Sequence, residues 1–191
     1  MRTVRRAISL STRHINVCVV GAGGAGLIST HELNKEGHSV TCLESEKDIG
    51  GTWDFQTNTR SSMYPSLRTN LPRNLMAYQC FPFGPNYTGD MRRYPGHAEI
   101  HGYLKAFAEE KKVEVKFDSP VENIEKVEGK WEVRYRGGND KFDAIVIANG
   151  HYETKHVPDF TGHFDGKILH SHDYKSPKDF AGKRVIFLGS A

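Results

Sequence analysis

A glycine-rich stretch near the N-terminus, GAGGAG at residues 21–26, constrains the possible folds more than any other feature of the chain. A short apolar run precedes it at residues 17–20 and has the length of a buried parallel strand. Residues 27–35 then have the pattern of a helix that ends at Gly37, and a second apolar strand follows at residues 39–43. This order predicts a strand–helix–strand unit with parallel strands.

Three of these glycines each have a physical reason to lack a side chain. Gly21 permits a tight turn out of the strand, Gly23 lets the main chain approach a pyrophosphate, and Gly26 lets the helix pack closely on the sheet. The helix N-terminus offers free N–H groups to phosphates. Glu44 lies 18 residues after Gly26, where a carboxylate can accept hydrogen bonds from ribose hydroxyls. Dinucleotide binding is therefore predicted in preference to a unit without a ligand. The residues predicted to contact the cofactor here are Gly21, Ala22, Gly23, Gly24, Ala25, Gly26 and Glu44.

The segment after Glu44 is rich in loop-forming and aromatic residues. Gly50 and Gly51 suit a loop whose main chain passes close to a bound cofactor. Trp53 either covers an aromatic ring system or fills a gap under that loop. Residues 57–95 have little periodicity, and a loop of this length in a compact domain is usually functional or disordered. Its many aromatic side chains argue against disorder.

The middle of the chain returns to regular patterns. Residues 96–112 have the spacing of an amphipathic surface helix. Strands are predicted at residues 113–117, 121–127, 131–135 and 142–148, with turns at residues 128–129 and 137–140. The first three strands resemble an antiparallel excursion inserted into a parallel sheet. The chain is thus predicted to be an α/β protein.

The C-terminal segment has the same pattern as residues 17–21, an apolar run followed by a glycine. Residues 183–191 contain a basic pair, a continuous apolar run and then Gly189, as in the first strand of a second dinucleotide fold. His170 and His172, two residues apart, suggest a metal site, but no Cys, Asp or Glu is spaced to join them convincingly. No metal ion is predicted.

Charge and composition exclude some functions. The net charge of +3 comes from four arginines in residues 1–14, because the remainder holds 22 basic and 23 acidic residues. No nucleic-acid partner is predicted. No apolar run reaches 18 residues, so no membrane-spanning segment is predicted. The three cysteines lack disulfide or metal spacing and fit a reducing compartment.

The Arg-rich leader at residues 1–14 allows two interpretations. It lacks Asp and Glu and contains Ser and Thr, as mitochondrial transit peptides do. The alternative is a disordered basic tail. The predicted location is therefore cytoplasmic, or mitochondrial if the leader is a transit peptide.

These motifs together resemble the flavin-containing monooxygenase family. The family signature FxGxxxHxxxYK is met by Phe164, Gly166, His170, Tyr174 and Lys175. The flavin-side glycine motif matches residues 50–53, and residues 64–73 resemble the segment that carries an active-site asparagine in S-oxygenating members. The resemblance covers nearly all of residues 15–191.

The resemblance implies a Rossmann-like FAD-binding domain at residues 15–181, including the signature at residues 164–175, and the first strand of a truncated NADP-binding domain at residues 182–191. It adds further cofactor-binding residues and one catalytic residue, Asn70, whose amide would hydrogen-bond near the flavin and nicotinamide. The added cofactor-binding residues are Gly51, Thr52, Trp53, Thr69, Asn70, Leu71 and Gly189.

The activity implied is that of an FAD- and NADPH-dependent monooxygenase. A C4a-hydroperoxyflavin would pass one oxygen atom from O2 to a sulfur or nitrogen of a small molecule. His170, Tyr174 and Lys175 are expected to shape the domain junction rather than to perform chemistry. A homodimer is allowed. The alternative is a catalytically inactive, flavoprotein-like binding module, because family members continue well beyond residue 191.

Overall fold

A parallel three-stranded sheet organises the chain. The computed structural model describes residues 13–55, 61–84, 89 and 92–189. The sheet has the order β2-β1-β6, with β1 in the middle. These strands are β1 (Asn16–Val20), β2 (Ser39–Leu43) and β6 (Ala144–Ile147). Both neighbours of β1 run parallel to it.

Helix α1 (Gly24–Lys35) connects β1 to β2 and completes the predicted parallel unit. It begins at Gly24, three residues before the predicted start, because Gly23 already has the extended backbone of an N-cap, with φ −73° and ψ −174°. Its end agrees with the prediction, since Gly37 follows with φ +87° and leaves the helical conformation.

The predicted antiparallel excursion is confirmed in part, because the strands predicted at residues 121–127 and 131–135 form, whereas residues 113–117 are not one of its strands. It forms a second sheet of β3 (Val121–Val127), β4 (Lys130–Tyr135) and β5 (Gly138–Phe142), in that order. The predicted turn at residues 137–140 is too long. Tyr135 pairs with Gly138, so the turn is confined to residues 136–137, where Gly137 has φ +91°. Residues 138–140 belong to β5.

The strand predicted at residues 142–148 forms as β6 (Ala144–Ile147) but is shorter than predicted, because Phe142 is the last residue of β5 in the other sheet. The break occurs at Asp143, which follows β5 and precedes β6. Its carboxylate accepts hydrogen bonds from the Asn16 N–H at 2.9 Å and pairs with Lys130 Nζ at 2.8 Å. These polar contacts hold the point where the chain crosses from the antiparallel to the parallel sheet.

The strand predicted at residues 113–117 does not form. Lys112 and Asp118 bound this segment with φ +52° and +50°, which leaves only a short extended piece between two left-handed residues. A single bridge joins Lys116 to Leu43 in a parallel sense. The segment therefore extends the β2 edge at one residue instead of adding a full strand.

Two more α-helices lie in the described part of the chain. Helix α2 (Arg73–Met76) is one turn within the long loop, and helix α3 (His97–Glu110) fits the predicted helix at residues 96–112. The buried side chains of α3 lie on one face, as its amphipathic pattern predicts. They are Ile100, Tyr103, Leu104 and Phe107.

The core has two parts, one on each face of the parallel sheet. Adjacent strand residues point to opposite faces, so Cys18 and Val19 of β1 enter different clusters. Val19 packs with residues of α1 and α3, including Leu27 and Phe107. Cys18 packs with residues of β4 and β5, including Val133. The helices and the antiparallel sheet therefore cover opposite sides of the parallel sheet.

The apolar run near the C-terminus does not form the predicted strand. Residues 183–189 have no regular secondary structure, and Ile186 and Phe187 are 80% and 91% exposed. A lone strand leaves its main-chain groups unpaired, so it needs a neighbouring strand to form. The second dinucleotide fold stays a prediction. Residues 1–12, most of the basic leader, lie outside the described residues, and the transit peptide stays a prediction.

The described part of the chain contains no helix with the length and apolar composition that crossing a bilayer requires.

Candidate functional site

The glycine turn begins at the end of β1, where three strands meet. Gly21 has φ +100° and donates its N–H to the Leu43 carbonyl at 2.8 Å. A Cβ atom at this position would lie 2.6 Å from the carbonyl oxygen of Ala148, just beyond β6. Only glycine combines this φ with such close contact. Gly21 thereby lets the chain turn tightly between the ends of β2 and β6.

Gly26 allows α1 to start directly against that turn. A Cβ atom at Gly26 would lie 1.8 Å from the Gly21 carbonyl oxygen, which is far inside van der Waals contact. The first turn of α1 and the end of β1 are thus packed main chain against main chain. The N-terminus of the helix is consequently held at the carboxyl edge of the sheet.

Gly23 differs from Gly21 and Gly26 because a side chain on it would have few close neighbours. A Cβ atom there would meet only Gly51, at 3.7 Å from its Cα and 3.9 Å from its nitrogen. These are ordinary contacts, and the backbone of Gly23 suits any residue. The fold therefore does not require glycine at position 23. A bare main chain at a helix N-terminus is what the approach of a phosphate needs.

The second glycine turn lies against the first. Gly50 has φ +117° and donates its N–H to the Ala22 carbonyl at 3.0 Å. A Cβ atom on Gly51 would lie 3.2 Å from Gly23 Cα. The glycine motifs at residues 21–26 and 50–53 are thereby brought together, and their main chains are in direct contact. Glycine at both positions leaves a cradle that side chains would otherwise fill.

The residues after this turn also fit a bound ligand. Within the described chain, Thr52 Oγ1 is buried and has no hydrogen-bond partner. A buried hydroxyl without a partner is costly, so a polar ligand atom at this position would be favourable. Trp53 is half-buried and packs against the core cluster that contains Val19 and Phe107. The cradle and the unpaired hydroxyl fit a phosphate-bearing cofactor.

Glu44 is buried at the end of β2 and faces the glycine turn. Its Oε2 accepts a hydrogen bond from the Ala22 N–H at 2.6 Å, and its Oε1 accepts from Ser45 Oγ and the Glu46 N–H at 3.0 Å and 2.9 Å. A carboxylate oxygen can accept more than one hydrogen bond, so these contacts leave capacity for a ribose hydroxyl. The ribose contact stays a prediction.

The segment with the candidate catalytic asparagine is held by hydrogen bonds at Thr69. Thr69 is buried, donates its N–H to the Pro95 carbonyl at 3.0 Å and donates its hydroxyl to the Leu71 carbonyl at 2.8 Å. Asn70 is exposed between them, and Leu71 is 50% exposed. The main chain on either side of Asn70 is therefore anchored while its amide remains accessible. The catalytic assignment of Asn70 stays a prediction.

The histidine of the signature makes structural hydrogen bonds. His170 Nδ1 accepts from the His172 N–H at 3.1 Å, and Nε2 lies 3.3 Å from the His156 carbonyl oxygen. Both ring nitrogens of His170 therefore have partners within residues 156–172. Lys155 and Asp173 also join residues 151–157 to the signature, at 2.6 Å between Nζ and Oδ2. The role of the signature at a domain junction stays a prediction.

Gly189, the predicted NADP-binding residue, lies in the irregular C-terminal segment. A Cβ atom there would meet nothing within 4 Å. Its cofactor role stays a prediction.

Two tyrosines that the sequence analysis did not select help to build the site. Tyr78 Oη donates to the Gly24 carbonyl at 2.5 Å, and Tyr103 Oη donates to the Phe81 carbonyl at 2.6 Å while accepting from the Tyr78 N–H at 2.7 Å. Burial raises the pKa of Tyr103 to about 12 and also raises the pKa of Tyr78. The excess of aromatic residues in the loop was the available signal, but it does not identify partners.

Two groups of donor atoms in the described chain could approach a cation. One contains His31, Glu32 and Cys80; the other contains Asp48, Asp54 and His101. In the second group Asp48 already pairs with Lys105 Nζ at 2.5 Å, and His101 Nε2 lies 2.9 Å from the Ile49 carbonyl. These contacts support the loop at Gly50. The absence of a metal stays a prediction.

Comparison with protein-family models gives a match over residues 14–191 to the family described as flavin-binding monooxygenase-like. Among curated proteins, the chain is 40% identical over 207 aligned positions to the flavin-containing monooxygenase FMO GS-OX2 of Arabidopsis thaliana, covering 95% of this chain and 45% of that protein. It is 38% identical to FMO GS-OX1 of the same plant, covering 92% of this chain and 44% of the relative. The chain thus spans less than half the length of these relatives.

Solved structures show the same relationship. The S-allyl-L-cysteine S-oxygenase from Allium sativum matches with a TM-score of 0.81 and 38% identity, covering 87% of this chain and 44% of that one. A flavin-containing monooxygenase from Stenotrophomonas maltophilia matches with a TM-score of 0.76 and 26% identity, covering 88% and 49%. A steroid monooxygenase bound to NADP matches with a TM-score of 0.63 and 29% identity, covering 87% and 32%. The α/β fold expected from the motifs is confirmed.

Proposed function

Because the chain belongs to the flavin-binding monooxygenase-like family, we propose that it forms the FAD-binding part of an NADPH-dependent monooxygenase. The observation that carries this proposal is the contact between the two glycine turns. The main chains of Gly23 and Gly51 lie against each other, and neither residue carries a side chain beside the N-terminus of α1. A helix N-terminus and a bare main chain on the same edge of a parallel sheet suit a pyrophosphate.

The residues that would hold FAD follow from their places around this cradle. The main chain of Gly21 to Gly26 would face the pyrophosphate, and Glu44 would accept from the adenosine ribose. Thr52 would use its unpaired hydroxyl, and Trp53 would shield the cofactor from water. Thr69 and Leu71 would border the cofactor on either side of Asn70.

The chemistry that bound FAD supplies is activation of O2 with two electrons from NADPH, such that one oxygen atom reaches the substrate and the other leaves as water. Asn70 would contribute an amide that both donates and accepts hydrogen bonds. Because an amide carries no acidic proton at neutral pH, it would not promote the early loss of peroxide. Gly189 would belong to the NADP-binding part.

The substrate class proposed is a small molecule with a soft sulfur or nitrogen centre. One matched protein supports sulfur, because it is named an S-allyl-L-cysteine S-oxygenase. The alternative is a binding module without turnover, since the chain covers only 45% of the length of such a relative.

Titration of the purified chain with FAD tests this proposal. We expect quenching of flavin fluorescence, visible absorption bands that remain after gel filtration, and a stoichiometry of one FAD per chain. A chain that folds but leaves the fluorescence of FAD unchanged would contradict the proposal. Bound FAD without oxidation of NADPH would favour the binding module.

A further inference from the structure

Lys175 is far from the glycine turns in sequence, but its ammonium group reaches the main chain beside them. Its Nζ donates hydrogen bonds to the Ser61 carbonyl at 2.7 Å and to the Met63 carbonyl at 2.9 Å. The same atom lies 5.9 Å from the centre of the Phe55 ring. Lys175 therefore contacts the chain both before and after residues 56–60. One cation links the end of the second glycine turn to the segment that leads to Asn70.

Ser61 in turn contacts residues 50–53, which we call the cofactor loop. Its Oγ donates to the Thr52 carbonyl at 2.6 Å and accepts from the Met63 N–H at 3.2 Å. Ser61 and Met63 are only 4% and 8% exposed, so their main-chain groups have little access to water. A buried carbonyl needs a partner, and a charged donor is the stronger kind. The link from Lys175 to Thr52 thus passes through two hydrogen bonds.

The neighbouring Tyr174 reaches the same segment by ring contact. Its ring centre lies 5.0 Å from that of Tyr64, with an interplanar angle of 80°. The Tyr64 carbonyl then accepts from the Leu67 N–H at 3.0 Å and closes a turn. Further along, the Thr69 N–H is bonded to Pro95. The segment from residue 61 to residue 69 is therefore held at its start by the signature and at its end by Pro95.

We propose that Lys175 is a positioning residue, which holds residues 61–64 against Thr52 and thereby sets where Asn70 stands relative to the cofactor loop. The contact itself depends only on the geometry above, whereas its importance for the cofactor rests on the proposed function. Removal of the ammonium would leave two buried carbonyls without their donor. The segment would then separate from Thr52 while both core clusters remained intact.

The signature provides a matched control. Lys155 pairs with Asp173, two residues before Lys175, and both side chains of this pair are partly exposed. Loss of the Lys155 ammonium removes an ion pair from the same loop without removing a donor to Ser61 or Met63. A general loosening of the signature is therefore separable from loss of the Lys175 contact.

Hydrogen exchange of the purified chain, without FAD, tests the contact. In Lys175→Met we expect the amides of residues 61–71 to exchange about 10-fold faster, while those of β1 and α1 keep the wild-type rate. Lys175→Arg should restore protection, and Lys155→Met should leave residues 61–71 unchanged. Unchanged exchange in Lys175→Met would overturn the proposal. An equal increase in Lys155→Met, or a uniform increase across the chain, would do the same.

Binding of FAD tests the consequence for the site. We expect Lys175→Met to change the visible circular dichroism of the bound flavin and Lys175→Arg to restore the wild-type spectrum. A wild-type spectrum in Lys175→Met would overturn the link to the cofactor. If the wild-type chain binds no FAD, the proposed function fails on its own, and the exchange experiment still decides the role of Lys175.

Discussion

The α-carbon of Gly26 lies so close to the Gly21 carbonyl oxygen that a Cβ atom on Gly26 would come within 1.8 Å of it. Both partners in this contact are main chain, so neither can move away by changing a side-chain rotamer. Gly26 is therefore required by the fold, whereas Gly23 has room for a side chain. This difference separates the structural glycines of the turn from the one at which a ligand is expected.

Replacement of Gly26 by alanine should strongly destabilise the chain. The added methyl group must displace the start of α1 or the end of β1, and we expect the free energy of unfolding to fall by about 3 kcal/mol or more. Urea denaturation followed by circular dichroism measures this change. Gly102→Ala is the matched control, because Gly102 also lies in a helix but a Cβ there meets nothing within 4 Å. It should stabilise the chain by about 0.5–1 kcal/mol.

Gly23→Val should leave the fold intact but strongly weaken the binding of FAD, in contrast to the replacement of Gly26. Because a Cβ at Gly23 makes only ordinary contacts with Gly51, we expect the free energy of unfolding to change by less than about 1 kcal/mol. The branched side chain would fill the space in which the pyrophosphate is proposed to lie, and FAD affinity should fall by about 100-fold or more. Fluorescence titration measures the affinity. Wild-type affinity in a folded Gly23→Val chain would refute the cradle.

Asn70→Asp should alter catalysis without loss of FAD. The aspartate keeps the size of the side chain but loses the amide donor and adds a charge. In a preparation that oxidises NADPH, we expect hydrogen peroxide release to increase and product oxygenation to decrease, with flavin content unchanged. Peroxide and sulfoxide assays on the same samples measure this coupling. Equal coupling in the variant and the wild type would remove Asn70 from the mechanism.

Tyr103→Phe should destabilise the chain by weakening the contact of α3 with residues 78–81. Tyr103 is buried and its hydroxyl bonds both the Phe81 carbonyl and the Tyr78 N–H, so its loss removes the partner of two part-buried main-chain groups. We expect a loss of about 2–4 kcal/mol in the free energy of unfolding. Urea denaturation measures it. Tyr152→Phe, at an exposed tyrosine, is the control and should change the stability by less than about 0.5 kcal/mol.

Two buried thiols should make the chain less stable in alkaline solution. Burial raises the pKa of Cys18 from 9.0 to about 12 and that of Cys42 from 9.0 to about 11. Between pH 9 and 10 the unfolded chain releases thiol protons that the folded chain retains, so the stability present below pH 9 decreases as the pH rises. The two thiols together should cost about 2 kcal/mol over this interval.

Urea denaturation at pH 8, 9 and 10 measures this slope, and replacement of Cys42 by alanine should reduce it by about half. Cys80→Ser is the control, because Cys80 is exposed and its replacement removes no buried thiol. At pH 8, a thiol reagent should label Cys80 rapidly and the other two cysteines only on unfolding. Rapid labelling of all three in the folded chain would contradict the burial on which this prediction depends.

Local sequence was sufficient for the elements in which apolar spacing and glycine act over a few residues. The β1–α1–β2 unit and α3 lie close to their predicted bounds, because a strand of five residues and an amphipathic helix each carry their own periodicity. Prediction from local sequence failed at Asp143, where a predicted strand is interrupted, and at residues 113–117, where a predicted strand does not form. Whether a run of apolar residues becomes one strand, two strands or none depends on which main-chain groups are available to pair with it.

The order of strand, glycine turn, helix and acid was determined by the sequence itself. A glycine such as Gly26 is needed because a side chain there would clash with main chain only a few residues away. Only the tertiary structure decided that Gly51 would stand against Gly23, that Tyr78 would bond to Gly24 and that Lys175 would hold Ser61 and Met63. These contacts join residues up to 114 positions apart. Such pairs leave no periodic trace in the sequence, because their geometry exists only after both core clusters have packed.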